Sequence, residues 1–210
     1  MTRRWTPIDP DALAGRLAEH LHLVQPPGPA LRVAVDGPRC ADPVGFAASL
    51  AAPLRALGHD TTVIDSDTFW RDASLRLEYG HEDVTSFRSW LDTEALRREV
   101  LDPLGPGGSG HYLPSLRDPV TNRSRRESMR IARLATVVVV AGPFLLDAEL
   151  PFDVAVHLTL SAAARERRTA SDERWTLDAY TDYDREVRPT ECADAVVKLD
   201  DPRHPALAIG

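Results

Sequence analysis

One stretch constrains this chain more than any other: Leu31-Arg-Val-Ala-Val-Asp-Gly-Pro-Arg-Cys-Ala-Asp-Pro-Val44. Leu31 to Asp36 reads as a buried strand, and Gly37 makes a tight turn. Phe46, Leu50, Leu54 and Leu57 then follow at helical spacing, with Gly58 as the stop. Such a strand–turn–helix unit needs neighbouring strands on both sides. The chain supplies four candidates: Asp60–Asp65, Leu134–Ala141, Phe152–Leu160 and Ala195–Leu199. Leu134–Ala141 is apolar enough to be buried on both faces, as strands of parallel sheets are. Five strands alternating with helices predict an α/β fold, a parallel five-stranded sheet flanked by helices with right-handed crossovers. A length of 210 residues suits a single α/β domain over 1–210 with a full core.

The turn after Leu31–Asp36 is where a phosphate-binding loop would sit. A working loop reads G-x-x-x-x-G-K-[ST]. Its backbone N–H groups cradle phosphates, its Lys reaches the outer phosphates and its hydroxyl holds Mg²⁺. Here the first Gly is Gly37, but the next three positions are Asp42, Pro43 and Val44. Asp42 repels phosphate, Pro43 has neither charge nor N–H, and Val44 cannot ligate a metal. Lys198, the only lysine, lies in the last predicted strand and cannot substitute. Arg39, inside the loop, is the one nearby positive charge.

Other function classes are disfavoured. A net charge of −7 is the wrong sign for a nucleic-acid surface. No apolar run reaches the ~18 residues of a membrane span. The start, Met1-Thr-Arg-Arg-Trp, lacks the apolar core of a signal peptide. Cys40 and Cys192 show no C-x-x-C spacing, which suits a reduced, cytoplasmic protein. His20 and His22 do not share a helix face, and no metal site is expected. Leu13, Leu17, Leu21 and Val24 predict an amphipathic helix from Pro10, and the Pro-rich tail after Asp200 is expected along the surface.

The second predicted strand ends in Ser66-Asp67-Thr68-Phe69-Trp70. Ligands of open α/β sheets bind outside the carboxyl ends of strands. Asp67 is therefore a site candidate, with a plain capping role as the alternative. Residues 71–121 are too long for a simple crossover and read as an inserted lid or substrate subdomain.

Val33-Ala-Val-Asp-Gly37, Ser66-Asp67-Thr68-Phe69, Gly80-His81, Tyr112 to Asp118, Gly142-Pro-Phe-Leu-Leu146 and Arg165-x-Arg167-Arg168 occur in this order. Together they resemble the uridine kinase family of P-loop nucleoside kinases, in particular a uridine-kinase-like branch of actinobacteria. The resemblance implies a P-loop NTPase-like fold, ATP and Mg²⁺ as cofactors, and a small-molecule nucleoside or nucleotide as partner, with a homo-oligomer compatible. It implies that Asp67 acts as base toward a nucleoside hydroxyl and that Arg165 and Arg168 stabilise the transferring phosphoryl group. Gly37, Pro38, Arg39 and Arg167 would face the cofactor. Asp36, Phe69, Trp70, His81, Tyr112 and Arg117 would face the substrate.

The chain departs from the family at Asp42-Pro43-Val44, where Gly-Lys-[ST] is expected, and at Ala141, where a strand-end acid is expected. Three readings follow: a phosphotransferase with an altered donor grip, a catalytically inactive relative that senses a nucleoside or nucleotide or serves as a scaffold, or an enzyme of different chemistry on the same fold.

Overall fold

The computed structural model describes residues 3–210. Among these residues nine strands form: β1 (Thr6–Pro7), β2 (Ala30–Asp36), β3 (Asp60–Asp65), β4 (His111–Tyr112), β5 (Arg130–Ile131), β6 (Thr136–Gly142), β7 (Val154–Thr159), β8 (Ala195–Lys198) and β9 (Ala206–Ile209). Seven build the main sheet in the order β1-β9-β8-β7-β2-β6-β3. The five expected strands are parallel and contiguous within it. β9 adds antiparallel to β8, and β1 antiparallel to β9. The expectation for the tail is thus corrected. Ala206-Leu-Ala-Ile209 buries Leu207 and Ala208 in the sheet, because the turn at residues 200–204 sends the chain back along β8.

β2 and β6 are buried along their whole length, as interior parallel strands must be. One face of the sheet is covered by helix α1 (Pro10–His22) and helix α2 (Pro43–Ala56). Leu13, Leu17, Leu21, Leu50 and Leu54 pack there on Val33, Val35, Val137 and Val139. Asp9 caps α1, accepting from Asp11 N at 2.8 Å.

The other face is covered by the helical run 93–104, whose Leu96, Val100, Leu101 and Leu104 pack on Ala30, Ala34, Val138 and Val140. Within 71–121, this run is therefore a core layer. Short helices Ala73–Arg76 and Val84–Phe87 precede it, and the β4–β5 ribbon follows. A third cluster, made by Phe87, Trp90, Phe144, Ala179, Tyr180 and Tyr183, sits beyond the carboxyl end of β6.

Candidate active site

The register places Asp36 level with Gly142 on β6 and His157 on β7. All three lie at the carboxyl edge, where the turn after β2 begins. Gly37 is needed here for close approach: a Cβ would lie 2.9 Å from both the Cβ and the carbonyl oxygen of Leu158. The chain then makes a 3₁₀ turn, Arg39–Ala41.

That turn consumes the loop's own N–H groups. Gly37 N donates to Gly142 O (3.3 Å), Ala41 N to Pro38 O (2.8 Å) and Asp42 N to Arg39 O (2.9 Å). Arg39 N donates to the Tyr180 hydroxyl at 3.2 Å. Asp42 adopts φ 55°, ψ 61°, a left-handed conformation Asp tolerates better than most residues. From there its carboxylate caps α2, accepting from Gly45 N at 3.0 Å. It lies against the Cα of Gly45 so closely that a Cβ there would collide with it. A helix N-terminus is a ready anion site, and this one already holds the chain's own carboxylate.

Over this turn lies a hollow of about 150 Å³ lined by Arg39, Asp42, Pro43, Val44, Asp65, Asp67, Gly142 and Pro143. Three of its residues are acidic. Asp67 follows β3 and is fixed by Asp65, whose Oδ1 accepts from Asp67 N at 2.9 Å. Its Oδ2 accepts from Arg39 Nη2 at 2.6 Å, with the Asp67 side chain only 13% exposed. Burial is the larger influence: it pushes the carboxyl up to about 6, against the pull of Arg39, with Asp65 adding to the rise. Burial also disfavours the Arg39 cation, but Asp67, Tyr180 and Glu173 outweigh it and hold the guanidinium above its ordinary value.

The sign of the linkage is definite. Folded Asp67 keeps its proton up to about pH 6, whereas the unfolded carboxyl loses it near 3.8. Between these values the folded state binds more protons, so this group's contribution to stability falls as pH rises and levels off above 6. Denaturant melts of Asp67→Asn against the native chain, taken from pH 4 to 7, should show the difference between them shifting toward the variant as pH rises. A difference that is flat with pH would contradict the raised carboxyl.

On the other side of Arg39 opens a larger cleft of about 530 Å³, a normal size for a small-molecule site. Trp70, His81, Phe87, Trp90 and Trp175 line it together with Arg39 and Arg76. Its rings meet edge to face: Trp70 on Trp90 at 5.2 Å, Phe87 on Trp90 and on Trp175 at 5.1 Å, and His81 on Trp175 at 5.7 Å.

Of the residues singled out in the sequence, Arg39, Asp67, Trp70 and His81 come together around these two cavities, with Gly37 and Pro38 leading into the turn. Others do not reach them. Asp36 is fully buried, accepting from Leu145 N (2.9 Å) and the Tyr183 hydroxyl (3.0 Å) and bonding His157 Nδ1 (2.6 Å). Phe69 is fully buried in the core. Tyr112 is buried and donates to Thr62 Oγ1 at 3.0 Å. Burial removes these three from contact with a ligand.

Arg117 ties the insert to itself, donating to Asn122 O (2.9 Å) and Asp72 Oδ2 (3.1 Å). Arg165, on helix Ala162–Arg168, pairs with Asp184 at 2.7 Å and stands over the Tyr180 ring. Arg168 donates to Leu199 O at 2.9 Å, and Arg167 is exposed. The three arginines therefore do not converge on the hollow.

Sequence reasoning missed Arg76, Trp90 and Trp175. Tryptophan is scarce here, with four in the chain, and three of them line one cleft; that scarcity was the available signal.

No protein-family model matches the chain, and no curated protein matches it in sequence. Solved structures do match. A provisionally named uridine kinase from Bacillus stearothermophilus superposes with a TM-score of 0.71 at 19% identity, over 87% of this chain and 96% of that one. A provisionally named fructose transport system kinase from Silicibacter sp. TM1040 gives 0.58 at 21% identity, over 89% and 95%. The YGR205w protein gives 0.56 at 10% identity, over 86% and 90%. The fold is that of the P-loop kinases.

A P-loop kinase fold implies ATP and Mg²⁺, but the residues present do not fit the ATP phosphates. The Asp42 carboxylate stands on the helix N-terminus, Pro43 has no N–H, and three of the eight residues lining the hollow are carboxylates against one arginine. Among the described residues, no group of three or more His, Cys, Asp or Glu is placed to hold a metal ion. Nor is any helix among them long and apolar enough to cross a membrane.

Proposed function

We propose that this chain is a nucleoside- or nucleotide-binding relative of the P-loop kinases that has given up the phosphoryl donor. It keeps the acceptor cleft and binds a small planar ligand between the tryptophans, with Asp67 and Arg39 at one wall. The single observation that carries this reading is the Asp42 carboxylate capping α2 at the place a phosphate would take. The partner is a small molecule in the cytoplasm, neither nucleic acid nor membrane.

One observation favours the other reading, a uridine-kinase-like phosphotransferase. Burial raises the Asp67 carboxyl to about 6, near the range that suits a general base at neutral pH. Titration calorimetry separates the two. Uridine or uridine monophosphate should give binding heat that Trp175→Ala weakens, while ATP·Mg²⁺ should give none up to about 1 mM. Binding of ATP·Mg²⁺ with turnover that Asp67→Asn abolishes would establish the phosphotransferase instead. Absence of binding by both pyrimidine ligands would remove the cleft as a nucleoside site.

A further inference from the structure

Arg76 is the unusual group in the cleft. It ends the short helix Ala73–Arg76 and is only 7% exposed, yet it lines the cavity. Its Nε donates to Arg71 O at 2.9 Å. Its guanidinium stacks on Trp70 at 4.6 Å and on Trp90 at 4.9 Å. Among the described residues it makes no ion pair, and its two terminal nitrogens have no hydrogen-bond partner. These nitrogens are not sealed in the core; they keep accessible surface where Arg76 lines the cleft.

Stacking on two indoles offsets part of the lost hydration but leaves the directional N–H donors unused. Trp70 also carries the Arg39 guanidinium at 4.9 Å. Asp67 acts on both Arg39 and Arg76, Asp72 on Arg76 and Glu173 on Arg39, so what sets Arg76 apart is its unpartnered N–H donors and not a surplus of charge. Burial, with Arg117 and Arg39 nearby, holds Arg76 below its ordinary value, so an anion there would relieve it. Of the remaining carboxylates of the cleft, Glu82 and Asp172 are exposed, and Glu173 is half-buried and close enough to act on Arg39.

We infer that the cleft takes an aromatic ligand bearing a negative charge, and that Arg76 selects for that charge. The ring lies among the tryptophans with the anion on Arg76, away from the exposed carboxylates of Glu82 and Asp172. This rests on the reading of the cleft as a small-molecule site. The anion's chemistry, a carboxylate on the ring or a phosphate monoester on a sugar, is left to the probes.

Quenching of tryptophan fluorescence reports directly on this cleft. The probes are uridine (neutral), uridine monophosphate (a phosphate monoester) and orotate (a ring carboxylate). One of the two anions should bind at least about tenfold tighter than uridine, as a charge-assisted pair demands, and added salt should narrow the gap. Arg76→Gln should bring that ratio close to one, and Arg76→Lys should keep part of it. The ratio in the native chain needs no variant to fold. Uridine binding as tightly as both anions, or a gap that survives Arg76→Gln, overturns the inference while leaving the cleft a ligand site. No binding by any probe overturns both.

Discussion

ATP·Mg²⁺ should leave the melting temperature of the native chain unchanged and raise that of the triple variant Asp42→Gly/Pro43→Lys/Val44→Thr by about 5–10 °C. The magnitude comes from linkage. A ligand at a hundred times its Kd that binds only the folded state adds about 2.7 kcal/mol, and one kcal/mol moves Tm by about 2–4 °C in a chain of this size. The structural warrant is local. Asp42 already sits at φ 55°, a conformation glycine adopts without cost. Removing its side chain frees the N–H of Gly45, its present partner at 3.0 Å. Lys and Thr restore the outer-phosphate charge and the metal hydroxyl. An unchanged Tm in the variant would mean that the 3₁₀ turn Arg39–Ala41, with its internal hydrogen bonds, holds its shape without help from Asp42. A rise in the native chain itself would end the reading of a closed socket.

The outline of the fold was legible because burial leaves a plain signal. Val137-Val-Val-Val140 can only be an interior strand, and the spacing of Phe46, Leu50 and Leu54 can only be one helix face. The edge strands were not legible. Thr6–Pro7 is two residues long, and Ala206-Leu-Ala-Ile209 follows a proline-rich stretch. Thr6–Pro7 is held by β9 at the other end of the chain, and Ala206–Ile209 by β8 across a short turn, rather than by their own pattern. The loop's altered chemistry could be read from Asp42-Pro43-Val44, but the capping geometry of Asp42 could not, since it depends on a backbone angle. Side-chain pairing was the least visible. Arg39 was expected toward a cofactor, and it instead binds Asp67, 28 residues on. Arg76 looked like one more charge on a polar segment, because nothing local marks it as buried between two indoles.

Asp36→Ala should be the most damaging single substitution near the site, costing about 4 kcal/mol of folding stability in urea denaturation. The side chain has no exposed surface and serves three partners: Leu145 N, the Tyr183 hydroxyl and His157 Nδ1. Each buried polar group left without its partner costs about 1–3 kcal/mol. A chain of this kind has only about 5–15 kcal/mol in hand, so the variant would stand near unfolding. Tyr183 must remain a donor for this network. Burial and the neighbouring carboxylate of Asp36 push its hydroxyl well above the ordinary tyrosine value, so it does. Asp36→Asn keeps the Oδ1 acceptor for Leu145 N but turns an amide NH₂ toward the Tyr183 hydroxyl and His157 Nδ1, both of which can accept from it, so its cost should be smaller, about 1–2 kcal/mol. The contrast separates two roles for Asp36. A residue that touched ligand would lose affinity in Asp36→Asn with little change in stability. A residue that anchors the carboxyl edge loses stability first, and with it the seat of Phe144, which holds φ 63° one residue before the Leu145 N–H that Asp36 accepts. The structure assigns Asp36 to the second role. Asp36→Ala melting within about 1 kcal/mol of the native chain would return it to the first.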